Sequence, residues 1–182
     1  MPVTVGDVLS FHDGSEFTVV KSAADTGGEA LEMEMFFPPT TEDVPRHIHP
    51  EQAETYEVIE GAFRVLLGSE WHELGPGQSA TVPKGTVHTF RVVGDQPARV
   101  RNLHAPALDF EDYFATESRL MSEGKIKSYS SPVALLYYAG LLGQYRHCMV
   151  MASPALRAMI TALSPIGRRL LARAPARDRV AE

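Results

Sequence analysis

The stretch Pro45-Arg46-His47-Ile48-His49-Pro50-Glu51-Gln52-Ala53-Glu54-Thr55-Tyr56-Glu57-Val58-Ile59-Glu60-Gly61 decides the reading, because it sets two imidazoles and a carboxylate within eight residues. His47 and His49 are one residue apart, so on an extended chain both side chains leave the same face and can reach one ion. Pro50 bends the chain, and Glu54 beyond it can return to that ion as a third, anionic ligand. Glu51 is an alternative carboxylate, and Gln52 lies near the same point. Tyr56 shares strand parity with Glu54, where it either hydrogen-bonds a substrate or packs. Glu60-Gly61 is a hairpin turn, since glycine accepts a positive φ that other residues resist.

Outward from this stretch, Val3 to about Pro106 reads as short strands divided by turn signals, the rhythm of an all-β barrel or sandwich. Leu31, Met33, Met35 and Phe37 alternate with Glu32 and Glu34 until Pro38-Pro39. That apolar face is either plain core or, with Phe90 and Asn102, the lining of a substrate pocket. After Gly75-Pro76-Gly77, the turn Pro83-Lys84-Gly85 delivers His88 at the start of a strand, the fourth ligand. Ala98 to His104 alternates with Arg99 and Arg101 outward, so Asn102 and His104 point inward as substrate contacts, or as core groups satisfied by backbone. Trp71 reads as packing; His72 and His12 have no partners at ligand spacing.

The two histidine-bearing stretches resemble the paired motifs of the cupin family. The first, His-x-His, four residues, Glu, six residues, Gly, falls on His47, His49, Glu54 and Gly61. The second falls on Gly77, Pro83, Gly85 and His88, with Val92 where the family pattern has Asn. The resemblance implies a double-stranded β-helix, or jelly-roll, barrel over residues 1–106. Residues 107–182 lie outside the motifs and read as a helical extension with a basic tail.

In that extension, Leu108–Met121 predicts an amphipathic helix opened by Asp109, and Ser131-Pro132 begins an apolar run to Met151 that predicts one buried or interfacial helix. A third helix runs from Pro154 to about Arg173, broken at Ser164-Pro165. From Arg168 to Glu182, five arginines stand against Asp178 and Glu182. Gln144, Tyr145, Arg146 and His147 inside the apolar run argue against a membrane span. Cys148 is a buried structural thiol.

The chain has 182 residues and a net charge of −6. That length suits one core, and the acidic balance offers nothing to nucleic acid. A single cysteine and an N-terminus without a basic or apolar run point to the cytoplasm. Three imidazoles and a carboxylate suit one divalent transition metal per chain: Mn, Fe, Ni, Cu or Zn. The expected function is a metal-dependent enzyme of dioxygenase type on a small enol, phenolic or polyketide-like metabolite. Glu54, Tyr56 and His104 are the catalytic candidates. The alternatives are a small-molecule-binding or regulatory module without turnover, and an isomerase or cyclase. A homodimer is expected, with the helices either lidding the barrel or pairing the subunits.

Overall fold

The computed structural model describes residues 2–39, 44–127 and 131–173. Ten strands come first: β1 (Val8–Ser10), β2 (Glu16–Lys21), β3 (Leu31–Phe37), β4 (His47–Ile48), β5 (Ala53–Glu60), β6 (Phe63–Leu67), β7 (Glu70–Leu74), β8 (Ser79–Val82), β9 (His88–Val92) and β10 (Ala98–Ala105). Helices α1 (Phe110–Ser122) and α2 (Pro132–Gln144), a short β11 (Val150–Met151) and helix α3 (Pro154–Ala172) follow. Two antiparallel sheets, in the orders β1-β2-β3-β10-β5-β8 and β11-β4-β9-β6-β7, make the expected jelly-roll barrel.

The period-two alternation of the strands builds the barrel interior. On β3, Leu31, Met33, Met35 and Phe37 are buried, while Glu32 meets Lys21 at 2.9 Å. The apolar side packs as a ring cluster: Phe37, Phe63, Phe90 and Tyr56 lie with centroids 5.2–5.8 Å apart. Gly61 turns β5 into β6 at φ +80°, and a Cβ there would come within 2.4 Å of the Pro97 carbonyl oxygen. Only glycine fits that hairpin. Trp71 is half-buried beneath the guanidinium groups of Arg64 and Arg91, and His72 is exposed.

The helical region departs from the sequence reading in three places. The run from Ser131 to Met151 is not one helix. Ser131 caps α2 by accepting the Ala134 N–H, but the helix ends at Gln144, and the chain turns through Tyr145–Cys148 into β11. The open edge of β4 supplies the competing partner, since Val150 pairs with Ile48 and Met151 with His47. Pro165 does not break α3. A proline inside a free helix costs about 3 kcal/mol through its missing N–H and the clash of its ring with the preceding turn, while Ile160, Ser164 and Gly167 seat both halves of α3 against the rest of the chain. Asp109 stands at the N-cap of α1 without capping it; its carboxylate is used elsewhere.

α2 and α3 cross with their backbones in contact. A Cβ on Gly167 would stand 2.2 Å from the Leu136 carbonyl oxygen, and one on Gly143 would stand 1.8 Å from the Ser164 hydroxyl oxygen. No helix among the described residues is long and apolar enough to cross a membrane. Of the basic tail, Arg168, Arg169 and Arg173 end α3; residues 174–182 lie outside the described residues.

Candidate metal centre

Both sheets contribute to the site. β4 carries His47, which pairs in register with His88 of β9; His49 follows β4, and Glu54 projects inward from β5. One ligand atom from each of His47, His49, Glu54 and His88 lies within 4.8 Å of the others. All four residues are at most 5% exposed. The Glu54 Oε2 is 2.9 Å from His88 Nε2 and 3.2 Å from His49 Nε2.

Backbone carbonyls hold the other nitrogen of all three rings. Nδ1 of His47 donates to Pro45 O at 2.9 Å, that of His88 to Thr86 O at 2.9 Å, and that of His49 to Cys148 O at 2.7 Å. A ring whose proton sits on Nδ1 presents a bare lone pair at Nε2. With His88 Nε2 hydrogen-bonded to Glu54 Oε2 at 2.9 Å, the lone pairs of His47 and His49 converge beside a carboxylate that is itself an acceptor, and His49 Nε2 has no hydrogen-bond partner. Such a set is repulsive until a cation or extra protons enter it. Carbonyl-anchored imidazoles of fixed tautomer are the supporting shell that a divalent ion requires, so the residues present fit a metal.

The electrostatics agree with that fit. Burial, then the neighbouring His88 and His49, push His47 down to about 3, so its ring is neutral. Burial alone would raise Glu54, but His104, His49 and His88 outweigh it and hold the carboxyl well below its ordinary range. Burial lowers His88, yet its bond to Glu54 leaves the net direction upward.

Asn102 and His104 lie on β10 beside Glu54 and are buried. Asn102 Nδ2 donates to Glu54 Oε1 at 2.8 Å, and His104 Nε2 stands 3.2 Å from the same oxygen. Burial keeps His104 below its ordinary value, hence neutral. The Tyr56 hydroxyl is fully buried with no well-formed hydrogen bond, and burial followed by the Glu54 charge pushes it well above 10. Met33, Met35 and Phe37 lie in the core cluster, and Phe90 is half-buried against it. Gln52 is fully buried, and its amide donates to the carbonyls of Pro106 and Ala107 at 2.9 and 3.0 Å. Glu51 is exposed.

Two contributions escaped the sequence reading. Phe110 of α1 stacks edge-on against His104 (4.6 Å) and His49 (5.3 Å), walling the site from the extension. The Cys148 carbonyl holds His49 from 99 positions away, a backbone contact that no residue type signals. The Cys148 thiol donates to Asp109 at 3.1 Å, and the same carboxylate oxygen meets His147 Nε2 at 2.5 Å. Burial, then Asp109, raise that thiol far above its ordinary value, which leaves it an unreactive structural group.

Comparison with known proteins matches residues 33–105 to the cupin domain family. Protein SchB of Streptomyces halstedii is 41% identical over 59 residues, which is 32% of this chain; the chain spans 43% of that protein's length. KdgF from a Halomonas species superposes with a TM-score of 0.50 at 22% identity, covering 58% of this chain and 90% of that one. An RmlC-like cupin from Shewanella frigidimarina gives 0.50 at 17% identity, with 58% and 88% covered. At these identities the two structures speak to the fold alone, and they share it. Residues 33–105 are a cupin domain, followed by helices that the family match does not reach.

Proposed function

We propose that this chain is a metal-dependent cupin enzyme of the dioxygenase type, acting on a small enol, phenolic or polyketide-like metabolite, with His47, His49, Glu54 and His88 as the metal ligands. The observation that carries the metal reading is the convergence of three carbonyl-anchored imidazoles on one buried carboxylate. A bound Mn, Fe, Ni, Cu or Zn ion supplies Lewis acidity, and the redox-active members of that set supply one-electron chemistry toward dioxygen. Asn102 and the neighbouring His104 orient the second oxygen of Glu54, leaving the first for the ion. His104, neutral and buried, accepts a proton from an acidic substrate hydroxyl; Tyr56, which stays protonated, donates to a developing oxyanion. The half-buried Phe90, with Met33, Met35 and Phe37, supplies the apolar side of the substrate's surroundings, and Asn102 a polar contact beside it.

Elemental analysis of protein purified without chelators tests the metal. About one divalent ion per chain is expected, with loss of that ion and retention of the fold in His88→Ala. Metal content far below one, unrestored by any of the five ions, refutes it. Oxygen consumption over a panel of enols and catechols tests the reaction, and ligand binding without uptake would instead favour a regulatory module. Light scattering tests the expected homodimer, and a monomer would leave the helices to the barrel alone.

A further inference from the structure

A cavity of about 450 Å³ lies outside the barrel, between the end of α2, β11 and α3. Its walls have two characters. Leu142, Met149 and Ile160 give it an apolar floor, and Arg146, Arg157 and Arg168 stand around it. No carboxylate lines it among the described residues, although the chain as a whole carries a net charge of −6. Three arginines lining one cavity with no carboxylate among its described walls make a local positive patch in an acidic protein, which suits an anion.

Arg157 is pre-positioned. Its Nε and Nη2 both donate to the Met151 carbonyl, at 3.0 and 2.9 Å, which ties its guanidinium to β11 and leaves donors free for a second acceptor. The two helices that contribute to the cavity are held together, because the α2 and α3 backbones touch at Gly140 and Gly167. Arg146 leaves the turn between α2 and β11, and Arg168 the last turns of α3; both side chains are exposed. The volume falls within the range of small-molecule sites and is far too small for a folded partner.

We infer that this cavity is a binding site for a small amphipathic anion, its phosphate or carboxylate held by Arg146, Arg157 and Arg168 and its apolar body on Leu142, Met149 and Ile160. Guanidinium forks match such headgroups in a bidentate manner, and the floor discriminates against bare inorganic ions. The site shares no residue with the metal cluster, so its occupancy does not depend on the metal reading.

Octyl phosphate is the probe, with octanoate, inorganic phosphate and octanol as comparisons, by calorimetry on the full chain. Saturable binding of octyl phosphate below about 1 mM is expected, tightening at low salt. Inorganic phosphate and octanol should each bind at least tenfold more weakly. Arg146→Gln and Arg168→Gln should each weaken octyl phosphate at least tenfold, and Thr161→Trp, which fills the cavity from an exposed position, should abolish it. Octanoate matching octyl phosphate would assign a general anion site, and octyl phosphate alone a phosphate site; either supports the inference. Vesicles of phosphatidylglycerol separate a membrane headgroup from a free ligand: vesicle binding stronger than octyl phosphate would overturn the cavity assignment. Absence of saturable binding, or binding unchanged in all three variants, would overturn it as well. The same titration on His88→Ala should be unaltered, which separates failure here from failure of the metal centre.

Discussion

Glu117 offers a quantitative test of the packing of α1 on α2. It lies on α1, is 7% exposed, and accepts a 2.7 Å hydrogen bond from the Tyr138 hydroxyl on α2. Burial, only partly offset by that bond, raises its carboxyl from 4.5 to about 7. The unfolded chain ionises at the lower value and the folded chain at the higher. Between them the folded state holds a proton that the unfolded state has lost, so stability falls as pH rises through this window. At about 1.4 kcal/mol per pH unit the full penalty is about 3 kcal/mol, of which about 2.5 kcal/mol develops between pH 5 and pH 8. Glu117→Gln keeps the shape and removes the titration. Its stability relative to the parent should rise by about 2.5 kcal/mol from pH 5 to pH 8, or roughly 5–10 °C in melting temperature. Taking the difference between the two proteins cancels the titrating histidines. Urea or thermal unfolding at half-unit pH steps provides the measurement. A difference that stays flat from pH 5 to pH 8 refutes the claim that Glu117 is desolvated in the fold.

Asn102→Ala removes the donor to Glu54 Oε1 and should weaken metal binding by about 10–100-fold with the fold retained; chelator competition reads it, and unchanged affinity would remove Asn102 from the support of the site. Cys148→Ala should leave metal content unchanged, because the carbonyl rather than the thiol holds His49, and a loss of metal would contradict that assignment. Gly167→Ala drives a Cβ to 2.2 Å from a backbone oxygen, where no rotamer change gives relief. It should destabilise by about 3 kcal/mol, at the upper end of overpacking penalties, measured by denaturant unfolding; a near-neutral effect would mean that the helices do not cross so closely.

What the sequence made legible follows from how local each signal is. His47, His49 and Glu54 lie within one hairpin's reach, and the alternation of Arg99 and Arg101 with Asn102 and His104 is a direct consequence of the pleat. Gly61 betrays its turn because only glycine tolerates its contact with Pro97. The extension was harder to read because its outcome is tertiary. An apolar run cannot reveal that β4 has an open edge awaiting Val150 and Met151, so a helix and a helix-turn-strand look alike. Pro165 normally ends a helix, and it stays within α3 only because the packed face beside it holds both halves in line. The placement of Phe110 against His49 and His104 depends on where α1 docks, which periodicity does not encode.

The pairing of β11 with β4 has a consequence for how the chain is made. β4 is two residues long, joins β9 at a single aligned pair, and is flanked on its other edge by residues near position 150. A ribosome adding about 5–20 residues per second leaves roughly 5–20 s between the synthesis of His47 and that of Met151. Through that interval His49 lacks the Cys148 carbonyl that sets its tautomer, and the edge of β4 is bare. The anchored geometry of His49 is therefore complete only once Met151 has been made, and a polypeptide stopped short of β11 would be a barrel with an unfinished rim, open to edge-to-edge association.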